Sequence, residues 1–424
     1  MSPVRPTVTV VGRRLDPGDH RLRDMLTRTA QPYDWLEAGT PAADAVLERH
    51  GAAGADLPVV VEQTGAVLTG VTVESLAAAW KMSDTPTREH YDLLIVGAGP
   101  AGLAAAVYAA SDGLSTVVIE ADVPGGQASH TSMIENFFGF PDGIGGAELA
   151  RLAGRQAEGF GAELVLLRGV TGSSGQDGGA AFAVDIAGGG RVSGKVSIAA
   201  PGMLWRRLEV DGIDELLDGG GVYYGAGRSE AAQCANEHVI VVGAGNSAGQ
   251  AVMNLAAAGA RVTMLVRGDR LEKSMSAYLV DRIRAHPEIE VRLRTEVEAV
   301  EARDGWLHAV TVRQGDGPPE RVEANAMFLC LGGVPRTAWA ADAGVRLDAS
   351  GFVLTGPDLL EAGRRPEDWP LDRDPLALET SRPGLFAAGD VRHGSTKRVA
   401  GAVGDGAMAV ALAHRRLDEL ARGM

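Results

Sequence analysis

The stretch YDLLIVGAGPAG, from Tyr91 to Gly102, constrains this chain more than any other. Leu93 to Val96 form a short apolar run, the pattern of a strand covered on both faces in a parallel sheet. Gly97, Gly99 and Gly102 follow at GxGxxG spacing with Pro100 and Ala101 between them, and Leu103 to Ala110 reads as an alanine-rich helix. The first glycine permits a tight turn, the second lets backbone approach a pyrophosphate, and the third lets helix and strand pack closely. A diphosphate then sits on N–H groups at the positive end of the helix. The next strand, Thr116 to Ile119, ends in Glu120, 23 residues beyond Gly97. An acid there accepts hydrogen bonds from ribose hydroxyls. Any one of these features is weak evidence; strand, loop, helix, strand and terminal acid together point to a dinucleotide.

Length and composition bound the rest. A chain of 424 residues suggests two to four domains, and 45% hydrophobic content is ample for packed cores. A net charge of −15 argues against nucleic acid, which needs clustered cations. Met1 to Arg14 has no apolar core of signal-peptide length and no run reaches the roughly 18 apolar residues of a membrane span, so the expectation is a soluble, cytoplasmic protein. Two cysteines, Cys234 and Cys330, make neither a disulfide framework nor a Cys-rich metal site.

Residues 1–82 read as a small unit of their own. Val8–Val11 and Tyr33–Leu36 are strands flanking a helix at Arg21–Arg28, Leu57–Val61 and Ala66–Leu68 form a hairpin, and Val73–Trp80 is helical. This order resembles the thioredoxin/glutaredoxin fold, in which Pro58 stands at the cis-proline. That family's active-site loop corresponds to RRLDPGDH, Arg13 to His20, which holds no cysteine. The unit is therefore expected to serve in structure or docking. Residues 83–90 are polar, contain a proline and make a linker.

After Glu120 come Gly125, Gly126 and Gln127, then the ENFFG motif with Glu135 and Asn136. With these motifs the chain resembles the low-molecular-weight thioredoxin reductase family, whose flavin-proximal segments read GGQ and ENxxG. The resemblance implies an α/β protein with two Rossmann-like dinucleotide-binding domains, the NADPH domain inserted in the FAD domain, plus the small thioredoxin-like unit. The expected boundaries are 91–210 and 334–424 for FAD and 211–333 for NADPH. It also implies a homodimer. Toward FAD it assigns Gly125, Gly126, Gln127 and Asn136, the turn at Gly202, the third motif ending in Gly389 and Asp390, and Lys397, Arg398 and Val399 before a helix that runs to Leu420.

The second fingerprint is Gly243, Gly245, Asn246, Ser247 and Ala248, after the strand Val239–Val242. Its partner strand, Arg261–Val266, ends in Arg267 rather than an acid, with Arg270 three places on. An acid would repel a 2′-phosphate where arginine pairs with it, so NADPH is favoured over NADH. The stretch 356–375 is unusually long for a connection and is read as an ordered surface loop, ahead of a lid or a partner contact.

One part of the family pattern is missing. Its GVxxCxxCDG stretch corresponds here to GVYYGAGRSE, Gly221 to Glu230, and no register places a thiol there. Glu230, Cys234 and His393 are the weak candidates for a catalytic role, beside simpler readings as surface or packing residues. Three functions stay open. Electrons can pass from flavin directly to a small molecule or protein, a thioredoxin-disulfide reductase route can use Cys234 or a partner's thiols, or the chain can act as a non-catalytic flavin- or NADPH-sensing module.

Overall fold

The computed structural model describes residues 7–423 apart from 15, 83–84, 176–181, 218, 226–230 and 232. The chain begins with β1 (Val8–Gly12), α1 (Pro17–Arg28), β2 (Tyr33–Glu37), α2 (Pro41–Arg49), β3 (Val59–Val61), β4 (Val67–Leu68) and α3 (Val73–Ala79). Their sheet has the order β2-β1-β3-β4, with β1 parallel to β2 and the other pairs antiparallel. This is the thioredoxin-like connectivity, and the Leu57–Pro58 peptide is cis.

Two helices differ from the sequence reading. Helix α1 starts at Pro17 rather than Arg21, because Asp16 caps it, accepting from the amides of Gly18 at 2.8 Å and Asp19 at 3.1 Å. Helix α2 was not anticipated. Thr40 caps it ahead of Pro41, but it buries only Ala43, so its apolar periodicity is faint.

The middle of the chain runs β5 (His90–Val96), α4 (Pro100–Ser111), β6 (Thr116–Ile119), α5 (Gly146–Gly159), β7 (Glu163–Val165), β8 (Val170–Gly175), β9 (Phe182–Ile186), β10 (Arg191–Ala199) and β11 (Met203–Trp205). Next come β12 (Val222–Tyr224), β13 (His238–Val242), α6 (Asn246–Ala257), β14 (Arg261–Val266), α7 (Ala277–Ala285), β15 (Ile289–Leu293), β16 (Thr295–Arg303), β17 (Trp306–Gln314), β18 (Pro319–Glu323) and β19 (Ala326–Leu329). β20 (Gly333–Pro335), β21 (Leu385–Ala387) and α8 (Val399–Ala421) complete the chain.

Two larger sheets result. One has the order β7-β6-β5-β10-β9-β8, with β21 also paired to β10. Strands β5, β6, β7, β10 and β21 run parallel, and β9 and β8 return antiparallel. The other, β12-β19-β13-β14-β15, is wholly parallel. Both central strands are buried as the apolar runs required: Leu93, Leu94 and Ile95 in β5, and Val239, Ile240 and Val241 in β13, are each 0% exposed. Strands β16, β17 and β18 form an antiparallel meander.

The chain gathers into two compact units. One holds the residues up to Trp80 with His130–Met133 and Trp205–Gly332; the other holds Lys81–Ser129, Ile134–Leu204 and Gly333–Met424.

Small residues let α4 and α8 approach closely in the second unit. A Cβ on Gly406 would lie 2.2 Å from the Ala101 carbonyl oxygen, so only glycine fits there. Helix α8 begins at Val399, and packing against α4 offsets the poor intrinsic helix propensity of its glycines. The 356–375 stretch is ordered by charge. Arg373 donates to Glu379, which is 0% exposed, and to Glu419 of α8, while Arg346 pairs with Glu361 and Asp368.

Candidate functional site

In the second unit the fingerprint loop follows β5 and is held from three sides. Gly97 has φ +103°, a conformation other residues rarely adopt, and an added Cβ would lie 2.2 Å from the Ala200 carbonyl oxygen. The Ala200–Gly202 turn therefore packs directly on the loop. At Gly102 a Cβ would meet the Gly97 carbonyl oxygen at 1.8 Å, whereas Gly99 has nothing within 4 Å. Two glycines serve close packing, and the middle one opens onto free space.

The other expected residues converge on this loop. The Gly125 amide donates to the Ala98 carbonyl at 2.8 Å, and Gln127 Nε2 donates to the Met203 carbonyl at 3.0 Å. A Cβ on Gly126 would come within 3.4 Å of Gly99 Cα, and one on Gly389 within 3.0 Å of Ala101 Cβ. Glu120 is buried, and its carboxylate accepts from Ala98 N at 2.6 Å and Asp122 N at 3.1 Å. Burial pushes its pKa up against those two bonds. The carboxylate keeps further acceptor positions.

Asp390 is half-buried and accepts from Ser395 Oγ at 3.2 Å. Burial raises its pKa, and the Lys397 ammonium opposes the rise. Lys397, at φ +53°, donates to the Asp390 carbonyl at 2.5 Å and lies 3.9 Å over the Phe352 ring, so its charge is already engaged within the protein. Arg398 is exposed and Val399 opens α8, whose first turn has no side-chain cap. Asn136 is exposed on the 134–144 excursion, and no hydrogen bond ties it to the loop residues just described.

The sequence reading missed Asp405 in α8. Its Oδ2 accepts from the Gly389 amide at 3.1 Å and from Arg392 Nε at 3.2 Å, fixing the turn that carries Asp390. The only signal was an acid set among the small residues of the helix's first half.

The first unit repeats the geometry. Gly243, at φ +150°, would place a Cβ 2.4 Å from the Cys330 carbonyl oxygen, while Gly245 is open and precedes α6 with no side-chain cap. Asn246 turns its Oδ1 to the Ser276 amide at 2.7 Å, so that oxygen bridges to the start of α7. Ser247 is exposed and Ala248 is buried at the third-glycine position. Arg267 and Arg270 both lie exposed just beyond β14, at the carboxyl end of the parallel sheet. Crevices at carboxyl ends of parallel strands are where such sheets take nucleotides.

The chemical candidates fare differently. Cys234 and Cys330 are buried, at 5% and 7% exposure, in one hydrophobic cluster with Val239, Val241 and Phe328. Burial pushes the Cys330 thiol up to about 12. His393 Nδ1 lies 2.7 Å from Asp348 Oδ2, a structural tie beside the Asp390 turn. Glu230 lies outside the described residues.

The donor set fits two dinucleotides: open glycines at uncapped helix starts, a buried acid after one fingerprint and cations after the other. These features define a pyridine-nucleotide flavoprotein oxidoreductase. The family model for pyridine nucleotide-disulphide oxidoreductases matches residues 91–406. The thioredoxin reductase of Treponema pallidum is 33% identical over 335 residues, covering 78% of this chain and 98% of that protein. That of Listeria monocytogenes is 32% identical, with 78% and 95% covered. Among solved structures, the Lactococcus lactis thioredoxin reductase is 29% identical with a TM-score of 0.67, covering 78% and 99%. The T. acidophilum enzyme reaches the same TM-score at 26% identity, with 78% and 100% covered. The chain belongs to the pyridine nucleotide-disulphide oxidoreductase family and is thioredoxin reductase-like within it. It is an oxidoreductase whose cofactors are those of the family, FAD and NADPH.

Proposed function

We propose that this protein takes electrons from NADPH through FAD and hands them directly to a small-molecule or protein acceptor, without a dithiol of its own. In this reading FAD lies on Gly97, Gly99, Pro100, Ala101 and Gly102, with Glu120 receiving ribose hydroxyls and Asp390 the ribitol. The segments Gly125–Gln127, Asn136, Gly202 and Lys397–Val399 border it. NADPH lies on Gly243, Gly245, Asn246, Ser247 and Ala248, with Arg267 and Arg270 pairing the 2′-phosphate. The cofactor supplies the hydride chemistry; the protein supplies position, charge and dryness.

The observation that carries the proposal is the state of the two cysteines. A disulfide relay needs an attacking thiolate and a resolving thiol. Both sulfurs of this chain are buried among apolar side chains, and Cys330 resists ionisation. Two separate nucleotide cradles without an accessible thiol favour turnover through an acceptor that takes electrons at the flavin. The proposal includes homodimeric assembly, as the family resemblance implies, and residence in the cytoplasm.

Anaerobic stopped-flow spectroscopy tests the reading. NADPH should bleach the flavin, and a quinone should restore its colour while oxidised thioredoxin does not. A flavin that NADPH leaves oxidised would refute turnover, and rapid recovery with thioredoxin would establish a thiol route.

A further inference from the structure

We infer that the face around β12 is a docking surface for a thioredoxin-fold domain, and that the chain's own N-terminal domain is its resident occupant. Residues 13–20, which correspond to the active-site loop of that fold, are shaped by buried charge instead of a dithiol. Asp19 and Arg23 are only 2% and 3% exposed. Asp19 accepts from the Arg13 amide, and Arg23 NH2 donates to the Arg14 carbonyl at 3.0 Å while its guanidinium lies 4.4 Å from the Trp35 ring centroid. Burying two charges is costly unless each is held by defined partners. Here the Arg13 amide holds Asp19 and the Arg14 carbonyl holds one nitrogen of Arg23, while Arg23 Nε and Nη1 find no hydrogen-bond partner among the described residues and rest beside the Trp35 ring.

Arg14 and His20 meet the nucleotide domain through aromatic contacts. Arg14 stands 5.2 Å over the Trp306 ring, and His20 lies 5.5 Å from the Tyr223 ring, which stacks in turn on Phe328. From the same helix, α1, Asp24 lies 3.8 Å from His130 Nδ1. His130 packs edge-on to Trp205, and Trp205 stacks on Tyr224. Neighbouring residues of a strand point to opposite faces. The N-terminal domain thus reaches both faces of β12, one through His20 and Tyr223, the other through His130, Trp205 and Tyr224.

The position carries the functional consequence, which rests on the reductase reading above. Strand β12 leads straight into residues 225–229, where the family resemblance puts the dithiol. A domain tethered by roughly ten residues has an effective concentration on the order of millimolar at its docking face. A free thioredoxin-fold protein of equal affinity would have to exceed that concentration to displace it. The N-terminal domain therefore reserves this face and excludes such proteins as docked acceptors.

Hydroxyl-radical footprinting and binding measurements on the full-length protein test this without relying on turnover. In an Arg14→Glu/His20→Ala/Asp24→Lys variant, oxidation of Tyr223 should rise at least fivefold, and immobilised oxidised thioredoxin should bind at least tenfold more tightly than to wild type. A Trp306→Leu variant, altered on the opposite wall, should show the same direction at Tyr223. Equal Tyr223 oxidation in all three proteins, or equal thioredoxin binding by wild type and the triple variant, would overturn the inference. NADPH–quinone turnover, followed in parallel, reports separately on the proposed function: its absence in every protein would remove that reading while leaving the docking result intact.

Discussion

The Ala98 amide donates to Glu120 Oε2 at 2.6 Å, so the first fingerprint loop is tied to the carboxylate that ends the neighbouring strand. This bond orients a buried acid whose other oxygen accepts from Asp122. The same group thus shapes the loop and, in the proposed function, receives the ribose.

Glu120 carries a pH signature. Burial, opposed by the Ala98 and Asp122 amides, raises its pKa above the ordinary 4.5. Folding therefore favours the protonated form, and the stability this contributes is full below 4.5 and lost as pH rises through the folded pKa. In FAD-free protein, Glu120→Gln should lose less stability than wild type across that rise, although FAD retention should fall. Urea titrations at several pH values check the first outcome and the flavin-to-protein absorbance ratio the second.

Gly99 and Gly102 should separate binding from folding. A methyl group at Gly102 collides with backbone, so Gly102→Ala should destabilise the apo-protein by about 1–3 kcal/mol. Gly99→Ala meets nothing within 4 Å, so the apo-protein should keep its melting temperature while FAD affinity drops. Equal thermal shifts in the two variants would contradict this division.

Arg267→Ala should weaken NADPH far more than NADH. A hydrogen bond to a charged group contributes about 1.5–3 kcal/mol, or roughly ten- to a hundredfold in affinity. Titration with each nucleotide, followed by protein fluorescence, reads the difference. Equal losses would mean that Arg267 does not meet the 2′-phosphate.

Arg373 holds Glu379 and Glu419, and Arg373→Ala should cost about 3–5 kcal/mol because Glu379 is left buried and unpaired by charge. Burial pushes the Glu419 pKa up, but its bonds to Arg373 and Arg416 prevail and hold it below 4.5. The stability from Glu419 is present above 4.5 and lost as pH falls through the folded value. Wild type should lose the Glu419 part of its advantage over Arg373→Ala on acidification, as denaturant midpoints from neutral to acidic pH will show.

Neither cysteine should react with iodoacetamide in the native protein, because both are buried and the thiolate is the reactive form. Mass spectrometry should find no alkylation at mildly alkaline pH and two sites after denaturation. A Cys234→Ser/Cys330→Ser variant should keep the wild-type rate of quinone reduction. Native alkylation of Cys234, with loss of turnover in the variant, would restore the thiol route.

Much of the fold was legible because its signals are local. The apolar runs at Leu93–Val96 and Val239–Val242, with glycine turns after each, require buried parallel strands opening onto helices. Motif spacing likewise led to Glu120 and Arg267, the family resemblance to Asp390, and the cysteine positions already showed that no CxxC exists. Other features depend on partners distant in sequence. Helix α2 has little apolar periodicity, and α8 is held together by its fit against α4 through Gly406 rather than by propensity. Asp405 acquires its role only when folding brings it to Gly389 and Arg392. His393 is drawn to Asp348, 45 residues away, and Lys397 to its own Asp390 carbonyl and Phe352. Above all, nothing in RRLDPGDH announces a docking loop. Its contacts with Trp306 and Tyr223 lie some two hundred residues or more along the chain, and such pairings are set by packing and charge in three dimensions, which no local pattern encodes.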